Sequence, residues 1–450
     1  MMMEISAIGL AQAQFSLNLA FFNLFAALST VLAWVVFWFR LRSWRDEGAG
    51  WLSAYRFWVR IFALSYFLTL GLLLPVLIQI GTLWPSLLER IGNVAGPLVA
   101  YGLVSLFLFK SMFMGTLLYG QRRVSPRMHV LSALGVAAGM SVTAFWALVL
   151  WSWVQSPDGA TLIDGRFQVY HWPDVILNPL LASNLLLFLA FGVLAAGWLM
   201  VGLSAWLSMK RPLDEGERSV FRTGLTVSLL AILACWFALD FSLQSIASQQ
   251  PILAAAMAGY FQSGGPPDMV VWGWPDLVGK TVNPAWVMEG WQGRWLGQNA
   301  QQVFLGLDAA SENMPAVRSV FLLTRMTILL LIILSLVAWI CWLMVARNGS
   351  DPVRLPSWSL RVLSATGFVG LLAHLTCFLW IQAGRWPYMV QGAILAQDVV
   401  VQADTWTLAS GLVGWVLLLI VLVSGFVRMF FHSARYGVIS VRKADARGHP

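Results

Sequence analysis

The chain has 450 residues, of which 59% are hydrophobic and only 11% charged, and it carries a formal charge of +8. Its mean hydropathy is +0.74. That balance excludes a soluble globule and points to a multispanning helical membrane protein; the surplus of basic residues reads as topology signals between spans, not as a nucleic-acid surface.

The first apolar run, "QAQFSLNLAFFNLFAALSTVLAWVVFWF", extends from Gln12 to Phe39 and is interrupted by Gln14, Asn18 and Asn23. It is long enough to cross a bilayer, too long for a signal-peptide core, and lacks a basic stretch before it, so a retained span is expected. Eight more follow, giving predicted spans at 14–39, 58–83, 94–119, 128–152, 181–207, 222–243, 320–346, 359–382 and 405–431. The runs are too long and too evenly apolar for the alternating strands of a membrane β-barrel. The expected layout is 1–243 for spans one to six, 244–319 for an extracytoplasmic loop domain, 320–432 for spans seven to nine, and 433–450 for a basic tail.

Charge follows the same count. Arg40, Arg42, Arg45, Arg56 and Arg60 flank the first link; Arg122, Arg123 and Arg127 the third; Lys210, Arg211, Arg218 and Arg222 the fifth; Arg347, Arg354 and Arg361 the seventh; and five more lie at the C-terminal end. The even links hold only Arg90, Arg166, Lys280, Arg294, Arg318 and Arg385. The positive-inside rule then places the N-terminus outside and the C-terminus in the cytoplasm of a bacterial or archaeal cytoplasmic membrane. The Trp- and Gly-rich segment 244–319 is expected to form an ordered interfacial cap on the outer side; packing is the plain reason for its tryptophans, a lipid or quinone headgroup site the functional one.

Ionisable residues at membrane depth are functional candidates by default. Lys110 lies mid-span in "YGLVSLFLFKSMFMGTLLYG", Arg325 opens span seven, Asp240 is near the end of span six, and His374 is inside span eight. Lys110 and Arg325 are read either as snorkelling side chains or as buried or interface charges. Arg385 offers a fixed fork for a carboxylate, from a cofactor, Asp398 or Asp404. His374 suits haem ligation or a hydrogen bond across a helix interface. His129 sits at the cytoplasmic start of span four, His171 and His432 are read as peripheral, and His449 lies in the tail; no bis-histidine pair follows from their spacing. Cys235, Cys341 and Cys377 sit in apolar runs without a CxxC pattern and read as small hydrophobes, and no metal site is expected.

Several stretches together resemble subunit I of the cytochrome bd quinol oxidases: "QFSLNLAFFNLF" (14–25), "SVTAFWALVLWSWVQSPDGA" (141–160), "LNP" (177–179), "AAGW" (195–198), "QQPILAAAMAGYF" (249–261) and "AGRWP" (383–387). The resemblance implies an all-α polytopic fold of nine transmembrane helices. It also identifies positions where the family carries haem ligands. Those positions fall here on Phe22 or Asn23, on Gly192, on Thr327 (with Met326 one residue away) and on Gln382. The acidic residues of the family's third helix fall near Tyr101 or Gly102 and on Lys110. In the quinol-loop-like motif beginning at Pro251, the family's Lys and Glu fall on Leu253 and Ala258.

The expectation is therefore a haem-depleted, oxidase-like accessory subunit of a respiratory electron-transfer complex, with no haem at the inherited positions and with haem or quinone held elsewhere in the assembly. Its partners would be a second cytochrome bd-like subunit, other respiratory subunits and lipids. Two alternatives stand beside it: an active quinol oxidase subunit I with non-standard ligands involving His374, Met326 or a partner's residues, and a quinone-binding module without its own redox centre.

Overall fold

The computed structural model describes residues 6–46, 50–265, 268–289, 303–310, 313–347 and 355–436. Among these, nine helices cross the membrane: α1 (Ala7–Arg45), α2 (Trp51–Leu83), α3 (Pro85–Tyr119), α4 (Pro126–Trp153), α5 (Leu181–Ser208), α6 (Glu215–Gln249), α7 (Val317–Arg347), α8 (Ser357–Arg385) and α9 (Thr405–Tyr436). One end of the bundle carries the basic links and is called the basic end. The other carries the hairpins and the 244–319 segment and is called the loop end.

The helices outrun the apolar windows because local chemistry starts and stops them in polar sequence. Ser6 caps α1 by accepting from the Gly9 amide at 3.1 Å. Ser125 caps α4 in front of Pro126, whose missing N–H costs nothing at the first helical position. Asp214 and Glu217 form a reciprocal capping box that starts α6 seven residues before its apolar run. At its other end α6 continues to Gln249, beyond the expected boundary at 243, and a short helix follows at Pro251–Ala258. The first helix of the 320–432 segment begins at Val317, and α9 runs to Tyr436; 437–450 lie outside the described residues.

Helix α5 is the axis of the bundle and is buried along most of its length. Its small residues let neighbouring backbones approach closely. A Cβ on Gly197 would meet Ser228 Oγ of α6 at 2.6 Å, and one on Gly202 would meet the Cα of Gly367 in α8 at 2.5 Å. At the opposite extreme, α3 and α9 are peripheral, with most of their apolar surface facing outward. Helix α3 contains one π-helical turn, Lys110–Met114.

The loop end is closed by a tryptophan-rich layer. Trp84, Trp153 and Trp386 are buried there, and the Trp84 and Trp386 rings lie 5.6 Å apart. A hairpin pairs Ala160–Ile163 with Arg166–Val169, and Asn93 Nδ2 of α3 donates to its Phe167 carbonyl at 3.0 Å. In the 244–319 segment, Met269–Trp272 pairs with Trp286–Met288 and Pro275–Asp276 with Thr281–Val282. Arg294 and the tryptophans at 291 and 295 lie outside the described residues.

Candidate functional site

The antiparallel pair α1 and α8 brings together residues that are more than 350 positions apart in sequence. Gln382 Nε2 donates to Ser16 Oγ at 3.1 Å, and Trp386 Nε1 donates to the same oxygen at 3.2 Å. Two turns deeper, His374 Nε2 and Asn23 Oδ1 are 2.8 Å apart, with the imidazole N–H donating to the amide oxygen. The spacing follows from helix geometry: seven residues on α1 and eight on α8 each span two turns, so both contacts fall on one seam. His374 is buried, and only about 20 Å³ of free space lies beside it, among Asn23, Asn184, Phe188, Phe191 and Phe378. Met326 is half-buried and does not line that space.

The other singled-out positions are also used in helix packing. Gly192 of α5 faces α1, where a Cβ would stand 3.2 Å from the Ala27 methyl and 3.3 Å from Val31 Cγ2. The hydroxyls of Thr327 in α7 and Thr376 in α8 are hydrogen-bonded at 3.0 Å. Phe22 instead lines a larger cavity of about 270 Å³ between α1, α2, α3 and α4, whose wall is almost wholly apolar.

Arg385 sits where that cavity reaches the loop end. It is 4% exposed and lies 5.1 Å from the ring centres of both Trp151 and Trp386. Its Nε and one Nη are buried without an acceptor. Neither carboxylate expected as a partner reaches it. Asp398 accepts from the Leu395 amide at 3.3 Å, and Asp404 is taken up by the amide and hydroxyl of Thr407.

Arg325 does not snorkel and does not meet an exposed surface. It is buried under the loop segment, where it donates to the carbonyls of Met257, Ala258 and Val270 and covers the Phe321 ring at 3.6 Å. Met257 and Ala258 are the last residues of the short helix from Pro251, so the guanidinium caps the negative end of its dipole. Gly259 ends that helix at φ +74°, a left-handed conformation suited to glycine. Leu253 and Ala258 are both buried there as packing residues. In the same segment Asp308 accepts from the amide and hydroxyl of Ser263, contacts that hold its carboxyl below the ordinary range. Burial first and Asp308 second push the Tyr260 hydroxyl up.

Lys110 is not a buried charge. It opens the π-helical turn of α3 on an exposed face shared with Phe107 and Met112, and it makes no ion pair among the described residues. His129, at the start of α4, is fully buried at the basic end. Arg40 Nε donates to its Nδ1 at 2.9 Å, and the Tyr55 hydroxyl is 3.5 Å from its Nε2. Sequence reasoning also passed over Ser16 and Thr376, since a serine or threonine in a span carries no mark of its partner.

A nine-helix bundle, with polar side chains paired between α1 and α8 and between α7 and α8 and an apolar cavity ending at a buried arginine, defines a polytopic helical membrane subunit. The chain belongs to the family described as cytochrome bd terminal oxidase subunit I, whose profile matches residues 10–438. It is 23% identical over 448 residues to the cytochrome bd ubiquinol oxidase subunit 1 of Bacillus subtilis (strain 168), covering 96% of this chain and 94% of that one. It is 28% identical over 225 residues to the cytochrome bd-II ubiquinol oxidase subunit 1 of Escherichia coli (strain K12), covering 49% of this chain and 44% of that one. The bd oxidase structure from Geobacillus thermodenitrificans superposes with a TM-score of 0.84 at 18% identity, over 95% of this chain and 98% of that one, a likeness of fold.

Proposed function

We propose that this chain is a haem-depleted cytochrome bd subunit I-like protein, a structural or accessory subunit of a respiratory electron-transfer complex. The observation that carries the reading is the α1–α8 seam: at Asn23 and Gln382, the side chains are engaged with His374 and Ser16 across the helix interface. The remaining residues at the inherited positions, Phe22, Gly192 and Thr327, offer no imidazole, thioether or carboxylate, the donors that hold haem iron. The fit to haem is therefore poor, and no catalytic step is assigned to this chain alone. Its helices are held by small-residue packing and neutral hydrogen bonds, leaving the exposed faces of α3 and α9 for a second cytochrome bd-like subunit and lipid.

A second reading, an active quinol oxidase subunit I with non-standard haem ligands, draws on the relatives, both of which bear the names of ubiquinol oxidase subunits. In it His374 would have to leave Asn23 to act as a ligand. Haem content of the purified native complex, resolved by subunit and read with a reduced-minus-oxidised spectrum, separates the two. Haem-free chain supports the accessory role. About one or more haems per chain refutes it and favours the second reading.

A further inference from the structure

Arg385 is the one cation in a membrane helix, among the described residues, that is deeply buried, has N–H groups without an acceptor and lines the apolar cavity. A buried charge without a counter-charge is costly, and the two tryptophan rings, 5.1 Å from the guanidinium, leave its Nε and one Nη without an acceptor. The cavity that begins at Arg385 is apolar along its length, lined by Leu19, Leu73, Val76, Leu148 and Phe378 among others, and it reaches Tyr66, Leu106 and Met140 deep in the bundle. Its α3 wall includes Leu88 and Val99, which are exposed, so it opens sideways toward the bilayer.

A cationic fork at one end and a long apolar slot behind it match one ligand chemistry. We propose that this cavity binds a single-chain amphiphilic anion, a fatty-acid carboxylate, with its head held by Arg385 and its tail lying between α1, α2, α3 and α4. A planar carboxylate fits the guanidinium edge through paired N–H donors. Arg385 is enclosed, and the cavity of about 270 Å³ is at the lower edge of ordinary ligand pockets. Both features favour one tail and a compact head over a two-tailed phospholipid. The proposal rests on the haem-depleted reading, since a haem in this region would compete for the same volume and the same arginine.

The test uses the full chain in its native complex, in neutral detergent and depleted of lipid. A fluorescent polyene fatty acid is titrated in, and oleate, oleyl alcohol and phosphatidylglycerol are used to displace it. Saturable binding is expected. Oleate should displace the probe at least tenfold better than the alcohol or the phospholipid, and Arg385→Gln should weaken probe binding at least tenfold. Ala144→Phe, which narrows the slot and leaves Arg385 in place, should also weaken it, and separates loss of the site from misfolding. No saturable binding, or binding unchanged by Arg385→Gln, overturns the proposal. So does equal displacement by the alcohol; preferential displacement by phosphatidylglycerol assigns the site to a phospholipid and overturns it too. A pyridine haemochrome assay on the same sample keeps the outcomes apart. Haem at stoichiometric level removes the reading beneath the proposal, while haem-free protein without fatty-acid binding removes the proposal alone.

Discussion

Ser16 of α1 and Gln382 of α8 are joined by a 3.1 Å hydrogen bond, and Asn23 and His374 repeat the contact two turns deeper on the same seam. Interhelical hydrogen bonds in a membrane contribute modestly, about 0.6 kcal/mol on average and up to roughly 1.7. In a double-mutant cycle of Asn23→Leu and His374→Leu, a coupling of about 1 kcal/mol is expected in the unfolding free energy of the purified chain. Additive effects of the two substitutions would show that the contact does not hold the helices together.

Haem content is the second prediction. The purified chain should give no stoichiometric pyridine haemochrome signal. Gly192→His should not create one, because even a Cβ at this position is tight against Ala27 and Val31 of α1. Overpacking of a filled core costs about 1–3 kcal/mol, so this variant should be less stable and still haem-free. A haem band in Gly192→His would show that α1 and α5 can separate enough to admit the macrocycle.

The Arg325 cap ties the loop segment to α7. Arg325→Met leaves three carbonyls without their donor, at about 1–3 kcal/mol for each that stays buried. The expected outcome is selective loosening: faster proteolysis between residues 259 and 289 with the spans intact. Unchanged cleavage there would mean that the strands and the short helix hold the segment without the arginine.

Asp308 gives that segment a pH dependence of known sign. Its folded pKa lies below the ordinary 3.8 because Ser263 donates to the carboxylate. A depressed pKa stabilises the fold above the unfolded value, and the contribution is lost as pH falls through the folded one. Hydrogen exchange at the Ser263 amide should therefore stay protected near neutrality and gain openings only below about pH 3.8, once the intrinsic pH dependence of exchange is removed. Asp308→Asn should abolish that acid-specific change.

Hydropathy made the nine spans legible, because twenty or so apolar residues in a row have few other uses. Helix ends were less so: Arg56 and Arg60 belong to α2, and the capping box starting α6 lies in a polar link. The positions that align with the family's ligands could be read from the motifs, but the contacts their side chains make here could not. Ser16 meets Gln382 only through the antiparallel register of two helices at opposite ends of the chain. Arg325 looked like a membrane-end cation because nothing in its own span announces the three carbonyls from the loop. The partners of His129 were equally hidden, since Arg40 and Tyr55 come from other helices.

Lys110 leads to the final prediction. It stands nine residues before α3 ends at Tyr119, roughly 14 Å along the helix at 1.5 Å per residue. That is a long reach for a snorkelling side chain. It projects from the exposed face of α3 at a π-helical turn, an irregularity that often marks a functional position. A charge at this depth is expensive in lipid and is ordinarily met by a partner. The expected partner is a carboxylate or a carbonyl on a second subunit packed against α3. Lys110→Met should therefore lower co-purification of that subunit severalfold while leaving the thermal stability of this chain nearly unchanged, and a crosslinker placed at Met112 should capture the same subunit in the wild type. Unaltered assembly in Lys110→Met, together with lipid-only crosslinks from Met112, would return Lys110 to the role of a snorkelling side chain on a lipid-facing helix.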